Sequence, residues 1–174
     1  MGLLDPERYF SRVSAIDVSR DVVGAGYTCV LLDIDNTIRS RADHQVPRDV
    51  RVWLAQLREA GVAVCLLSNN FHANASELAL ELGVPIVAKA LKPLPHGFVL
   101  ARRKAGAARG SAVMVGDQLS TDVLGAHLAG MPAYLVCPLA EEDLKHTMAV
   151  RALERVFIAD REPEGASACE TSRS

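Results

Sequence analysis

Val30-Leu31-Leu32-Asp33-Ile34-Asp35-Asn36-Thr37 carries an apolar run into two aspartates one residue apart, followed by a hydroxyl. The apolar density from Tyr27 to Leu32 reads as a strand buried on both faces, as in a parallel sheet. Carboxylates are costly in a core unless paired. Asp33 and Asp35 therefore belong at the strand's carboxyl end, where open α/β sheets bind their ligands. Residues two apart in an extended chain point the same way, which lets both carboxylates address one site. If the chain turns after Asp33, the two groups still crowd one metal-sized space. A cation has to hold them together.

Outward from this stretch the same design repeats. Polar residues 39–45 lead to Pro47, which opens a helix to Ala60 with Gly61 as its stop. Val62 to Leu67 is a second buried strand ending in Ser68-Asn69-Asn70, followed by a helix from Ala73 to Leu82 closed by Gly83. Pro85 to Ala88 is a short strand leading into Lys89-Ala90-Leu91-Lys92-Pro93-Leu94-Pro95 and a helix over 96–107. Ala112 to Val115 is the next strand, ending in Gly116-Asp117-Gln118-Leu119-Ser120-Thr121-Asp122, with a helix running to Leu128. Ala133 to Val136 is a fifth strand, and 140–158 a final helix. Toward the amino terminus, Pro6 with Tyr9, Phe10, Val13 and Ile16 predicts a short amphipathic helix over 6–16. Gly24 and Gly26 form a GxG that precedes a strand rather than following one, so it fails as a dinucleotide loop. Strands alternating with helices about every thirty residues mark a doubly wound fold. The expectation is one α/β domain over 1–158, a three-layer α/β/α Rossmann-like parallel sheet of about five strands, with a disordered polar tail over 159–174.

Composition narrows the function. The chain has 174 residues, 49% of them hydrophobic, and a net charge of −2. That balance gives no bulk electrostatic case for nucleic acid. Cys29, Cys65, Cys137 and Cys169 are far apart, and the first three sit in apolar runs, so buried reduced thiols and a cytoplasmic setting are expected. No apolar stretch approaches the ~20 residues of a membrane span, and acidic Asp5 and Glu7 stand where a signal peptide needs basic residues. The five histidines are scattered without ligand spacing.

In a parallel sheet, Asp33 and Asp35, Ser68 and Asn69, and Gly116 and Asp117 all fall along one edge, with Lys92 after another strand. All-oxygen carboxylate ligation suits Mg²⁺, which keeps waters and takes substrate phosphate. A carboxylate nucleophile forming an aspartyl-phosphate is an established covalent route, and charge neutralisation by metal and lysine would be the main catalytic contribution. Each residue also has a plainer role: Ser68 as a helix cap, Lys92 as a surface lysine with Lys89 as its rival, and Asp122 as a charge favouring a helix dipole.

Taken in order, LLDIDNTI (31–38), LLSNN (66–70), LKPLP (91–95) and VGDQLSTD (115–122) resemble the four motifs of the haloacid dehalogenase (HAD) phosphatase superfamily. The resemblance covers about residues 5–158. It implies Asp33 as nucleophile and Asp35 as general acid/base. It implies Mg²⁺ held by Asp33, the Asp35 carbonyl and Asp117, with Asp122 supporting from a second shell or through water. Ser68 would bind the phosphoryl group, Lys92 would offset its charge, and Thr37 and Asn69 would be local phosphate donors.

HAD enzymes often insert a cap domain after the first motif or before the lysine, and neither gap here is long enough for one. A capless, subclass III site suits large substrates presented at a surface. The stretches LLDPERYFSRVSAID (3–17), GDQLSTDVLGA (116–126) and LVCPLAEED (135–143) are similar to the YqeG-type branch, itself similar to the mitochondrial phosphatidylglycerophosphate phosphatase. That implies release of the terminal phosphate of phosphatidylglycerophosphate, an anionic lipid at the inner face of the membrane. Two departures from the branch stand out: Ala126-His127 where it has Gly-Asn, and Ile38 where it has Leu. Arg39 and Arg41 near the site, with Tyr9 and Phe10 of the first helix, are the expected bilayer contacts. Three alternatives stay open: a phosphatase for soluble sugar or nucleotide phosphates, a receiver-type phospho-switch, and a catalytically idle phospho-regulated interaction module.

Overall fold

The computed structural model describes residues 2–40, 44–70, 73–139 and 161–165. Its strands are β1 (Arg8–Phe10), β2 (Cys29–Leu32), β3 (Ala63–Leu67), β4 (Ile86–Val87), β5 (Ala112–Gly116) and β6 (Ala133–Val136). They form one sheet in the order β1-β6-β5-β2-β3-β4, every neighbouring pair parallel. Leu32 is level with Leu66 of β3 and Val115 of β5, so the three central strands end together. That alignment brings Asp33, Ser68 and Asp117 to one edge.

Side chains alternate between two apolar layers, as the two-residue period of a strand requires. Val30, Leu32, Val64, Leu66, Val113 and Val115 face one layer. It includes Trp53 and Leu57 of α1 (Arg48–Glu59) and Leu78 of α2 (Ala73–Leu82). Leu31, Cys65, Leu67 and Met114 face the other, with Phe98 of α3 (Pro95–Lys104) and Ala126 of α4 (Leu124–Leu128). The strands β2 to β6 are apolar at every position because both faces are covered. Gly61 and Gly83 follow α1 and α2 with φ of +71° and +66°, the left-handed conformation that ends a helix at little cost to glycine. Burial pushes the Cys29 and Cys65 thiols up to about 12 and about 11, which keeps them as unreactive core residues.

Two expectations need correcting. Among the described residues the sheet has six strands where about five are expected, and the helix expected over 6–16 is β1 followed by a 3₁₀ turn, Val13–Ala15. Tyr9 and Phe10 belong to opposite layers, Phe10 wholly buried on one and Tyr9 packed on the other. The apparent helical stripe was two strand positions followed by a turn. Register with Tyr134–Val136 supplies ladder hydrogen bonds that an isolated short helix cannot match. Phe10 is therefore not a bilayer contact.

Residues 161–165, within the polar tail, lie against β1: Ser11 N donates to the Glu164 carbonyl at 2.9 Å and Glu164 N to the Tyr9 carbonyl at 2.8 Å. The final helix expected over 140–158 lies outside the described residues. Among the described residues, no helix is long and apolar enough to cross a membrane, and no further domain is inserted between β2 and α1 or between β3 and β5.

Beside β1, Asp21 is almost fully buried yet charged. Burial alone would raise its pKa, but hydrogen bonds from Arg20 Nε (2.6 Å), the Arg8 guanidinium and Asp17 N (2.9 Å) outweigh it and hold the carboxyl at about 2. A depressed carboxyl pKa contributes stability that is complete above the unfolded value, near 3.8, and is lost as pH falls toward about 2. Asp21→Asn is expected to cost on the order of 2 kcal/mol at neutral pH. In urea unfolding followed across pH, that deficit should shrink between about pH 4 and about pH 2; parallel pH profiles for the two chains would contradict it.

Candidate active site

The chain leaves β2 in a tight loop that closes on itself. Ile38 N and Arg39 N both donate to the Ile34 carbonyl, at 3.1 and 3.0 Å, and Asn36 N donates to the Arg39 carbonyl at 2.8 Å. Asn36 takes a left-handed φ of 63°, a conformation asparagine tolerates better than most residues. Asp33 N is held by the Val115 carbonyl at 3.0 Å. Thr37 Oγ1 donates to Asp33 Oδ2 at 3.3 Å.

Lys92 enters from the loop after β4. Its Nζ is 2.5 Å from Asp33 Oδ1 and 2.6 Å from Asp122 Oδ1, and its side chain is 4% exposed. One carboxylate oxygen from each of Asp33, Asp117 and Asp122 lies within 4.8 Å of the other two, and all three residues are buried. Burial pushes the Asp33 carboxyl up to about 6 against the pull of Lys92, and the charges of Asp122 and Asp35 add to the rise. Lys92 is driven the other way: burial would lower its pKa, but Asp122 and Asp33 keep the ammonium firmly protonated.

The supporting loops are shaped around these groups. Asn69 has its amide turned to the backbone of Lys92, with Nδ2 donating to the Lys92 carbonyl at 3.0 Å and Oδ1 accepting from Lys92 N at 2.6 Å. Expected among the phosphate donors, it holds the lysine loop. Ser68 is buried, and its Oγ accepts from Asn70 N at 3.1 Å. Asp122 Oδ2 accepts from Gln118 N at 3.2 Å. A side chain on Gly116 would overlap the Asp122 carboxylate, so this glycine is what lets Asp122 turn inward. A Cβ on Gly97 would come within 2.5 Å of the Ala90 carbonyl, so α3 packs directly on the lysine loop.

The site residues read from sequence thus fall into two groups. Asp33, Lys92, Asp117 and Asp122 meet, with Thr37 on Asp33 and Ser68 at the next strand end. The Asp35 carboxylate turns elsewhere, to Arg39 Nη2 at 3.0 Å and Asn70 Nδ2 at 2.7 Å. Those two partners escaped the sequence reading. Arg39, expected from the sequence to be a bilayer contact, is 6% exposed and ion-paired, which removes it from that role. Its one sequence signal was the four-residue spacing from Asp35, which carries meaning on a helix but not in a loop. Arg41 lies outside the described residues.

A divalent cation fits this donor set. Three carboxylates and one ammonium leave two net negative charges in a buried space, and all-oxygen ligation suits a hard cation.

A family model described as haloacid dehalogenase-like hydrolase matches residues 8–130. A probable phosphatase, YqeG, of Bacillus subtilis is 32% identical over 137 residues, covering 78% of this chain and 79% of that protein. Among solved structures, the cobalt-bound deoxy-D-mannose-octulosonate 8-phosphate phosphatase of Haemophilus influenzae aligns over 78% of this chain and 89% of its own, with a TM-score of 0.54 and 14% identity. A thermostable NPPase variant of Geobacillus stearothermophilus aligns over 80% and 94%, with a TM-score of 0.53 and 12% identity. At such identities these two establish likeness of fold.

A divalent cation at a hundred times its Kd should stabilise the chain by about 2.7 kcal/mol, read as a rise in Tm reversed by chelator. Asp117→Asn, which relieves repulsion without the cation, should be at least as stable as the parent in chelator and show no rise. A rise of equal size in the variant would contradict the assignment.

Proposed function

The chain belongs to the haloacid dehalogenase-like hydrolases and is a phosphatase of that superfamily, and we propose that it is a Mg²⁺-dependent phosphomonoester hydrolase working through an aspartyl-phosphate on Asp33. The convergence of Asp33, Asp117 and Asp122 on Lys92 at the carboxyl edge of the sheet carries this reading.

Asp33 attacks phosphorus, the ester bond to the alcohol breaks, and Asp35 delivers the proton that the departing oxygen needs. Water then attacks the acyl phosphate and gives its proton to Asp35; phosphate leaves and the Asp33 carboxylate is restored. Lys92 offsets charge on the phosphoryl oxygens while holding the nucleophile in place. Ser68 Oγ and Thr37 Oγ1 would donate to the transferred group. Asp33 and Asp117 would hold the Mg²⁺, with Asp122 supporting it. Such a metal would neutralise phosphate charge and lower the repulsion that a carboxylate nucleophile meets. Fixing these groups on strand ends lets positioning supply much of the rate.

For the substrate, we favour phosphatidylglycerophosphate, hydrolysed to phosphatidylglycerol. Support comes from the 32% identity to a YqeG-type relative together with the YqeG-like sequence stretches, and from the lack of an inserted cap among the described residues. An uncapped site admits a phosphate carried on a large body. The protein would then work in the cytoplasm against the inner face of the membrane.

A panel of phosphate esters, including phosphatidylglycerophosphate in vesicles and soluble sugar and nucleotide phosphates, tests both levels. Phosphate release should require Mg²⁺ and fall by roughly a thousandfold or more in Asp33→Asn. Undiminished activity in that variant would overturn the mechanism, and a strong preference for the soluble esters would overturn the lipid assignment.

A further inference from the structure

Asp35 lies outside the carboxylate cluster on Lys92, and two residues from two different loops, Arg39 and Asn70, hold it. Arg39 Nη2 is 3.0 Å from Asp35 Oδ1, and Asn70 Nδ2 is 2.7 Å from Oδ2. Arg39 Nη1 in turn donates to the Asn74 carbonyl in the first turn of α2, at 3.4 Å. The loop between Asp35 and Arg39 is closed by its own backbone hydrogen bonds, so the guanidinium is presented to the carboxylate by the fold and not by a free tether. We propose that Arg39 is the positioning residue for Asp35, orienting its carboxylate for proton transfer to the leaving oxygen; the proposal rests on reading Asp35 as the proton carrier.

Two observations favour this over a merely structural ion pair. Arg39 is 94% buried, judged from its 6% exposure, and its Nε is buried with no hydrogen-bond partner among the described residues. An arginine kept inside at that cost has a purpose beyond its own solvation. Arg39 also borders an open cavity of about 360 Å³, lined further by His44, Arg51, Glu77 and Glu81. Pairing, more than close packing, therefore fixes its direction. Truncating Arg39 enlarges an existing space and does not open a new one in the core, so the variant should fold.

A positioning role acting through Asp35 has a signature that general destabilisation lacks. An alkyl phosphate expels a strongly basic oxygen that must be protonated as it leaves; 4-nitrophenyl phosphate expels a weakly basic one that need not be. The ratio kcat/KM reports only the steps through departure of the alcohol, before water enters. In Arg39→Ala, kcat/KM should fall about 10–100-fold for the alkyl ester, and the ratio of alkyl to aryl values by about tenfold or more. In an Asp35→Asn background, adding Arg39→Ala should cost almost nothing further on the alkyl ester, because the group it positions is gone. Equal losses with both esters, no loss with either, or fully additive losses in the double variant would overturn the proposal. If Asp35→Asn itself fails to discriminate between the esters, the proton-carrier reading has failed; if it discriminates and Arg39→Ala does not, the failure is that of Arg39 alone.

Discussion

Lys92 reaches Asp33 and Asp122 with one ammonium group, at 2.5 and 2.6 Å, from a position that solvent hardly touches. Two unit charges about 4 Å apart interact by about 4 kcal/mol where the effective dielectric is near 20. Three carboxylates gathered within 4.8 Å would therefore repel each other strongly without a cation among them. Lysine supplies one positive charge permanently. The remaining imbalance has the sign and size of a divalent cation. The same arithmetic explains how Asp33, the proposed nucleophile, can be buried beside two like charges: the ammonium offsets part of the cost of desolvation, and Thr37 Oγ1 donates to its other oxygen.

Everything near the site serves that meeting of charges. The parallel sheet ends β2, β3 and β5 in register, bringing Asp33, Ser68 and Asp117 to one edge. Lys92 arrives from the far side of β3, on a loop whose backbone is gripped by Asn69 and pressed by Gly97 at the start of α3. Gly116 leaves the space into which Asp122 turns. These contacts position the charged side chains of the site.

Much of this was visible in the residues alone. The strands β2, β3, β5 and β6 are runs of apolar residues buried on both faces, which no surface element imitates, and the first three are each followed by a polar residue of the candidate site, Asp33, Ser68 and Asp117. What the sequence hid depended on partners distant in the chain. Arg8–Phe10 reads as part of a helix because its apolar residues continue at helical spacing into a 3₁₀ turn, and only pairing with Tyr134–Val136 reveals the strand. Asn69 looked like a ligand donor because its amide partner, the backbone of Lys92, is 23 residues away. Arg39 reads as a bilayer contact because nothing local in the sequence says that residues 34–39 fold back on themselves. The six-strand order was equally out of reach, since strand adjacency is a tertiary property.

The claim on which the account turns is that Asp33, held by Lys92, takes the phosphoryl group covalently. Mixing the Mg²⁺-loaded chain with a phosphate ester, quenching in acid during turnover and reducing with borohydride converts an aspartyl-phosphate into the corresponding alcohol. Peptide mass analysis should then find homoserine in place of Asp33, only when substrate is present and not in a chain carrying Lys92→Ala. Hydrolysis that proceeds at full rate with Asp33 unmodified, or with the label on another carboxylate, would contradict the account.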